Sequence, residues 1–250
     1  MTNKNTSKAL NSWGQVADWY DTMMDNPKSF QSNVILPNLR RTLNLKPSDV
    51  VLDLACGQGF FAAQFENNCK LYGIDISKEL VDLARLKCTK SKFIVSPAES
   101  IDKLDLPQFD KVYTILAMQN IKGLDKTIKN VASKMKQGAT WSIVLNHPCF
   151  RQLRASEWYY SRETDIQYRM LSRYMTSYSE EILMNPSKKN SPKTLTYHRP
   201  LQDYIKLAKN NGLYLTNMEE WISHIPQDTD YKDTARKEFP LFCLLEFKKI

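Results

Sequence analysis

Cysteine is sparse and unpaired in this 250-residue chain: the five, at positions 56, 69, 88, 149 and 243, form no Cys-x-x-Cys and have no histidine at metal-ligand spacing. Neither a disulfide framework nor a zinc centre is indicated. Long apolar runs are missing as well, and no stretch is long enough to span a bilayer. The opening residues, Met1 to Lys8, lack the apolar centre of a signal peptide, so the expected location is cytoplasmic. The length suits one α/β domain with one insertion and an ample core. A net charge of +8 invites a nucleic-acid reading. The lysines, however, are scattered along most helical stretches as solvated faces, and no appended RNA-binding module is visible.

What is present is a strand, a glycine turn, a helix and a second strand. Val50 to Leu54 is an apolar run that suits a buried parallel strand, and it passes through Asp53 into Ala55-Cys56-Gly57-Gln58-Gly59. Gly57 and Gly59 let the backbone turn sharply and approach a ligand where a Cβ would clash. A helix from about Phe60 to Asn67 then aims its free N–H groups at that ligand. Leu71 to Ile76 forms the second strand, with Asp75 at its tip. Gly57-x-Gly59-x-x-Ala62 with a downstream acid also fits a dinucleotide fingerprint. Asp53 favours a cationic ligand, because a carboxylate there is awkward beside a pyrophosphate and useful beside an ammonium and a sulfonium.

On these residues the chain resembles the class I S-adenosylmethionine-dependent methyltransferases, whose first motif reads D-x-A-C-G-x-G. The resemblance implies a Rossmann-like α/β fold with a seven-stranded, mostly parallel sheet, an antiparallel last strand and helices on both faces. It further implies that Asp53, Ala55 and Gly57 line the methionine end, with Cys56, a small filler of the turn, and Gly59 also in the cofactor-binding set. Asp75 would bond the ribose hydroxyls, Ile76 would pack on adenine, and Tyr20 would lie against the sulfonium. S-adenosyl-L-homocysteine would be the product. In Lys92 to Glu99 the acid usual in this family is replaced by Pro97, leaving Ala98 and Glu99 as adenine contacts. The loop Ala117 to Ile121 resembles that of quinone-type and related small-molecule methyltransferases, with Gln119 in place of their arginine. It puts Leu116 and Met118 beside the cofactor, Met118 as packing, and Gln119 near the acceptor.

The expected organisation is a single domain: a helical lid over residues 1–45, a cofactor-binding core over 46–148, a substrate cap over 149–200 and a closing helix with two strands over 201–250. The cap, read as helical with a β-hairpin, would roof the cleft after the fifth strand. Its strand pair is expected around Thr176 to Met184 and Thr194 to His198. It interleaves Arg151 with Trp158, Tyr159, Tyr160 and Tyr168, a mixture suited to stacking and bidentate bonding with a planar or anionic acceptor. Arg151, Trp158, Tyr168 and Arg199 are therefore candidate acceptor contacts. A histidine can serve as a base near neutral pH, and His147, at the tip of the fifth strand, and His198, on the roof, are the candidates. Pro200 to Asn210 reads as a helix stopped by Asn211-Gly212, and His224 to Glu238 as a polar, mobile stretch. Methyl transfer to a small molecule is the expected reaction. Methylation of RNA through the basic, aromatic cap and a role as an NAD-linked reductase or non-catalytic binder are the alternatives.

Overall fold

The structure, a computed structural model, describes residues 13–24, 26–185, 188, 190–224 and 229–250; the side chains of Gln15, Ala17, Asp18 and Tyr20 lie outside that description. The expectation for the Tyr20 side chain, residues 186, 187 and 189 of the turn after Met184 and the stretch 225–228 fall outside it.

The strands run in chain order as β1 (Val50–Leu54), β2 (Lys70–Asp75), β3 (Lys92–Val95), β4 (Phe109–Ile115), β5 (Met135–Asn146), β6 (Ser156–Ser161), β7 (Ile166–Leu171), β8 (Tyr178–Leu183), β9 (Lys193–His198), β10 (Leu213–Trp221) and β11 (Phe242–Lys249). Seven form one sheet in the order β10-β11-β5-β4-β1-β2-β3. β1 to β5 are parallel, and β11 runs antiparallel to both of its neighbours. This is the expected Rossmann-like sheet. Its strands are apolar on both sides because both faces are covered. One face packs Trp141, Phe109 and Tyr204. The other packs Tyr113, Phe65, Ile35 and Leu39.

Three local expectations need correction. The cap holds two antiparallel hairpins, β6–β7 and β8–β9, with no helix assigned among its described residues. The stretch after β10 contains a helix, Asp230–Glu238, with Asp230 and Asp233 in its first turn and Arg236 and Lys237 in its last. Charges so placed complement the helix dipole, which accounts for order in so polar a segment. In the helical lid expected over residues 1–45, the helix is not regular ahead of Pro37: a π-helical stretch, Gln31–Ile35, leads into the α-helix Leu36–Leu43. Proline has no N–H for a regular bond one turn back, and a wider turn upstream accommodates that loss.

Gly59 caps the helix Phe60–Phe65 at φ 82°, and a Cβ there would stand 3.0 Å from the Cβ of Ala84 on the helix Lys78–Lys87. Left-handed strain and overpacking together should make Gly59→Ala cost about 2 to 4 kcal/mol in chemical denaturation. Ala55→Gly, at a residue already held at φ 61°, should instead leave stability within about 1 kcal/mol.

Candidate functional site

The chain order reverses between β1 and β4, since β2 and β3 extend the sheet on one side and β4 and β5 on the other. A crevice opens at the carboxyl ends of the strands at such a switch point. Two non-glycine residues in the left-handed region flank it, Ala55 at φ 61° after β1 and Leu116 at φ 53° after β4. Strained backbone of this kind concentrates at ligand sites.

Asp75 organises the turn. Its Oδ2 accepts the Gly57 N–H at 2.9 Å and its Oδ1 the Ser77 N–H at 2.9 Å. Its own carbonyl accepts the Ser96 N–H at 2.8 Å. Burial pushes this carboxyl upward, against the pull of the N–H groups of Ser77, Gly57 and Ile76. Ile76 follows it, half-buried, and Ala98 lies buried at the start of the helical turn Ala98–Lys103. The side chain of Glu99 stands against Gly123, where an added Cβ would meet its Cγ at 3.0 Å.

Asp53 departs from the expectation of an open carboxylate at the methionine end. It is only 2% exposed and accepts the hydroxyl of Tyr113 at 2.9 Å, from the position opposite it on β4. Burial pushes its pKa up to about 8, with the charge of Asp75 adding to the rise. Cys56 is buried beneath the turn, where burial and the two carboxylates push its thiol upward, so it is a filler without nucleophilic character. Met118 likewise faces the core, fully buried in the cluster that holds Leu124 and Leu145, and offers no face to the cleft.

At the carboxyl ends of β4 and β5 lies a cavity of about 420 Å³, roofed by β8–β9 and walled in part by Trp13, Leu116, Gln119, Asn146, Arg151 and His198. That volume suits a small molecule. Neither Asp53 nor Asp75 lines it. Gln119 turns its Nε2 back onto the Leu116 carbonyl at 2.7 Å, and its buried Oε1 has no partner. Arg199 lines the cavity, but its guanidinium is committed to the carbonyls of Met118 at 3.3 Å, Ile121 at 2.7 Å and Lys122 at 3.1 Å. It ties the roof to the loop after β4.

The two histidines part company. His147 is 1% exposed; its Nδ1 accepts the N–H groups of Cys149 and Phe150 at 3.2 and 3.4 Å, leaving Nε2 to donate to Glu220 at 2.7 Å. Both nitrogens of His147 are thus engaged, and the ring is not part of the cavity wall. His198 does line the cavity, and its Nε2 donates to the Tyr174 carbonyl at 2.7 Å. A carbonyl can only accept, so the lone pair of the neutral ring resides on Nδ1. Burial lowers the pKa of His198, which keeps the ring neutral.

Two expected aromatic contacts lie elsewhere. Trp158 packs against Phe239 with ring centroids 5.3 Å apart, and Tyr168 is 42% exposed beside Tyr159. Neither lines the larger cavity. Arg169 and Tyr178, which the sequence reading did not single out, do. The alternation of Trp158 with Tyr160 and of Tyr168 with Met170 was the available signal for paired strands there.

The donor set fits a hydroxylated, cationic nucleoside. The turn from Asp53 to Gly59 carries carboxylate and backbone groups and no basic residue to meet a pyrophosphate.

Residues 45–181 match the family described as Methyltransferase domain. The demethylmenaquinone methyltransferase of Symbiobacterium thermophilum is 26% identical over 133 residues, covering 50% of this chain and 53% of that protein, so the match spans about half of its length. The 2-phytyl-1,4-naphtoquinone methyltransferase of Trichormus variabilis is 26% identical over 157 residues, covering 58% of this chain and 68% of that protein. A solved S-adenosylmethionine-dependent methyltransferase from Mesorhizobium loti shares the fold with a TM-score of 0.68 at 22% identity, over 90% of this chain and 100% of that one. With more than half of its length in the family match and the matching sheet around it, the chain belongs to the methyltransferase-domain family.

Proposed function

We propose that the protein methylates a small molecule held in the 420 Å³ cavity between the loop after β4 and the β8–β9 roof. The observation that carries this reading is a His198 whose Nδ1 lone pair is left free, in a cavity walled by Leu116 and Asn146 at the carboxyl ends of β4 and β5. Quinone methyltransferases among the relatives act on small molecules and support it. The arginines of the cap point the same way. Arg154 pairs with Glu180, Arg173 lies over the Tyr178 ring, and Arg151 and Arg169 face cavities. Arg151 and Arg169, turned to cavities, are not set out as a surface row that tracks a phosphate backbone.

S-adenosylmethionine supplies an electrophilic methyl group on a sulfonium, open to in-line displacement. Asp75 is assigned to the ribose hydroxyls, Ile76 and Ala98 to the adenine, and the turn Ala55 to Gly59 to the methionine end. Tyr20, on the helix Ala17–Met24, is assigned to the sulfonium side on the sequence resemblance alone. Asp53 acts from behind the turn through its field. The protein's work is to hold the acceptor in line and to exclude water, with Trp13 as part of the cover. Gln119 offers its unpartnered Oε1 to a donor on the acceptor. His198 Nδ1 takes the proton that an acceptor hydroxyl or acidic carbon must lose.

Incubation with isotopically labelled donor and a metabolite extract should label a discrete small molecule, identified by mass spectrometry; label found only in RNA would contradict the proposal. With that acceptor, His198→Ala should lower turnover about 100-fold while donor affinity holds. Because burial depresses the pKa of His198, the acid limb of the wild-type rate profile should fall below the ordinary histidine value of about 6.5. His147→Ala should instead lower stability by about 1 to 3 kcal/mol through the Glu220 and backbone partners it abandons.

A cation next to Asp53 favours its ionised form. With a free-state pKa of about 8, donor binding near neutral pH should release a proton, and affinity should rise with pH until it levels off above that value. Calorimetry in buffers of different ionisation enthalpy reads the released proton directly. Asp53→Asn should abolish it, and a pH-independent affinity in the wild type would remove Asp53 from the cofactor's field.

A further inference from the structure

A second cavity, of about 220 Å³, lies where the β6–β7 hairpin meets the helix Asp230–Glu238. Three guanidiniums line it: Arg151 from the segment after β5, Arg169 from β7 and Arg236 from the helix. Arg151 and Arg169 also line the larger cavity, so the two spaces share a wall.

No carboxylate lines this second space. Among the described residues, none of the three arginines forms an ion pair. Arg169 is held in place, its Nε donating to the Phe150 carbonyl at 2.7 Å and its Nη2 to the Ser156 hydroxyl at 2.5 Å. The guanidinium of Arg151 lies 5.4 Å from the Phe242 ring, and that of Arg236 lies 5.9 Å from the Trp158 ring. Neither carries a hydrogen bond to a described residue, although each has five donors to satisfy. The Trp158 ring also carries the Arg169 guanidinium at 4.9 Å, and the edge of Phe239 closes on it at 5.3 Å.

Like charges gathered without a counter-charge oppose folding unless something else is gained. Burial and the charges of Arg236 and Arg169 push the pKa of Arg151 down to about 10. Cation–π contact offsets part of this cost, and packing alone would be served as well by one arginine as by three. Convergent forks with free donors in an aromatic-walled space are the recognition chemistry of an oxyanion.

We propose that this second cavity binds a carboxylate or phosphate group carried by the methyl acceptor, whose planar or apolar body occupies the larger cavity. The proposal rests on the small-molecule reading and narrows it to an anionic acceptor. The shared wall of Arg151 and Arg169 lets one ligand reach both spaces.

The test titrates the full chain with phenyl phosphate and, separately, with inorganic phosphate, at constant ionic strength set by chloride. Phenyl phosphate should bind saturably, inorganic phosphate about tenfold more weakly for want of the ring's contacts with the wall of the larger cavity. Arg236→Gln should weaken phenyl phosphate about tenfold or more, and Arg236→Lys, which keeps the charge and loses the fork, by less. Binding of S-adenosylhomocysteine, followed in parallel, should stay within about twofold in both variants and so report their folding. Its absence in the wild type would refute the methyltransferase reading on its own. No saturable phenyl phosphate binding, or equal affinity in wild type and Arg236→Gln, overturns the anion site. Equal affinity for the two phosphates overturns the assignment to the acceptor.

Discussion

One buried carboxylate sets the geometry on which the site depends. Asp75 leaves the second strand of the sheet and takes backbone N–H groups from both directions, Gly57 in the glycine turn and Ser77 at the cap of the next helix. A buried carboxylate is costly unless several donors hold it, and a turn with positive φ at Ala55, Gly57 and Gly59 needs an external brace to stay in one shape. Each demand answers the other. The turn is thereby fixed against β2 before any ligand arrives, and Ser77, whose side chain accepts the Leu80 N–H, carries the same restraint into the helix Lys78–Lys87. Asp53, paired with Tyr113 one strand away, places a second titratable group behind the same turn.

The cap is bound to this core by a few polar ties. Arg199 gathers three carbonyls from the loop after β4, and Thr196 on β9 reaches the Gln119 carbonyl at 3.4 Å. The roof and the cofactor loop therefore form one wall of the acceptor cavity. His198 belongs to that wall and holds its tautomer through Tyr174 from the segment between the hairpins. His147, at the tip of β5, fastens the start of the cap to β10 through Glu220. The two histidines show how one residue type serves chemistry or architecture according to which ring nitrogen is left free.

The parts of the fold that could be read from the residues were those carried by local signals. The strand tips at Asp53 and Asp75, the β8–β9 hairpin around its Asn, Pro and Ser turn, and the helix stopped at Asn211-Gly212 all announce themselves within a few positions. The β6–β7 hairpin does not, because its turn runs through Arg162, Glu163, Thr164 and Asp165 without glycine or proline. Asp165 takes the left-handed position there at φ 52°, a conformation that aspartate tolerates better than most residues. The fates of His147, Asp53 and Arg199 were hidden for a different reason. Their partners Glu220, Tyr113 and the Met118 carbonyl lie 73, 60 and 81 residues away in the chain, and only the sheet order brings them together. Strand alternation puts Tyr168 on the hairpin face opposite Arg169, and Trp158, though it shares the face of Arg169, packs against Phe239 outside the larger cavity.

Calorimetric titration of S-adenosylhomocysteine into the wild type and Asp75→Ala, with circular dichroism as a check on folding, tests the central claim most directly. The account predicts a single-site complex in the wild type and an affinity about 100-fold or more weaker in a folded Asp75→Ala, since both the ribose acceptor and the brace of the turn are gone. Undiminished affinity in the folded variant would contradict it.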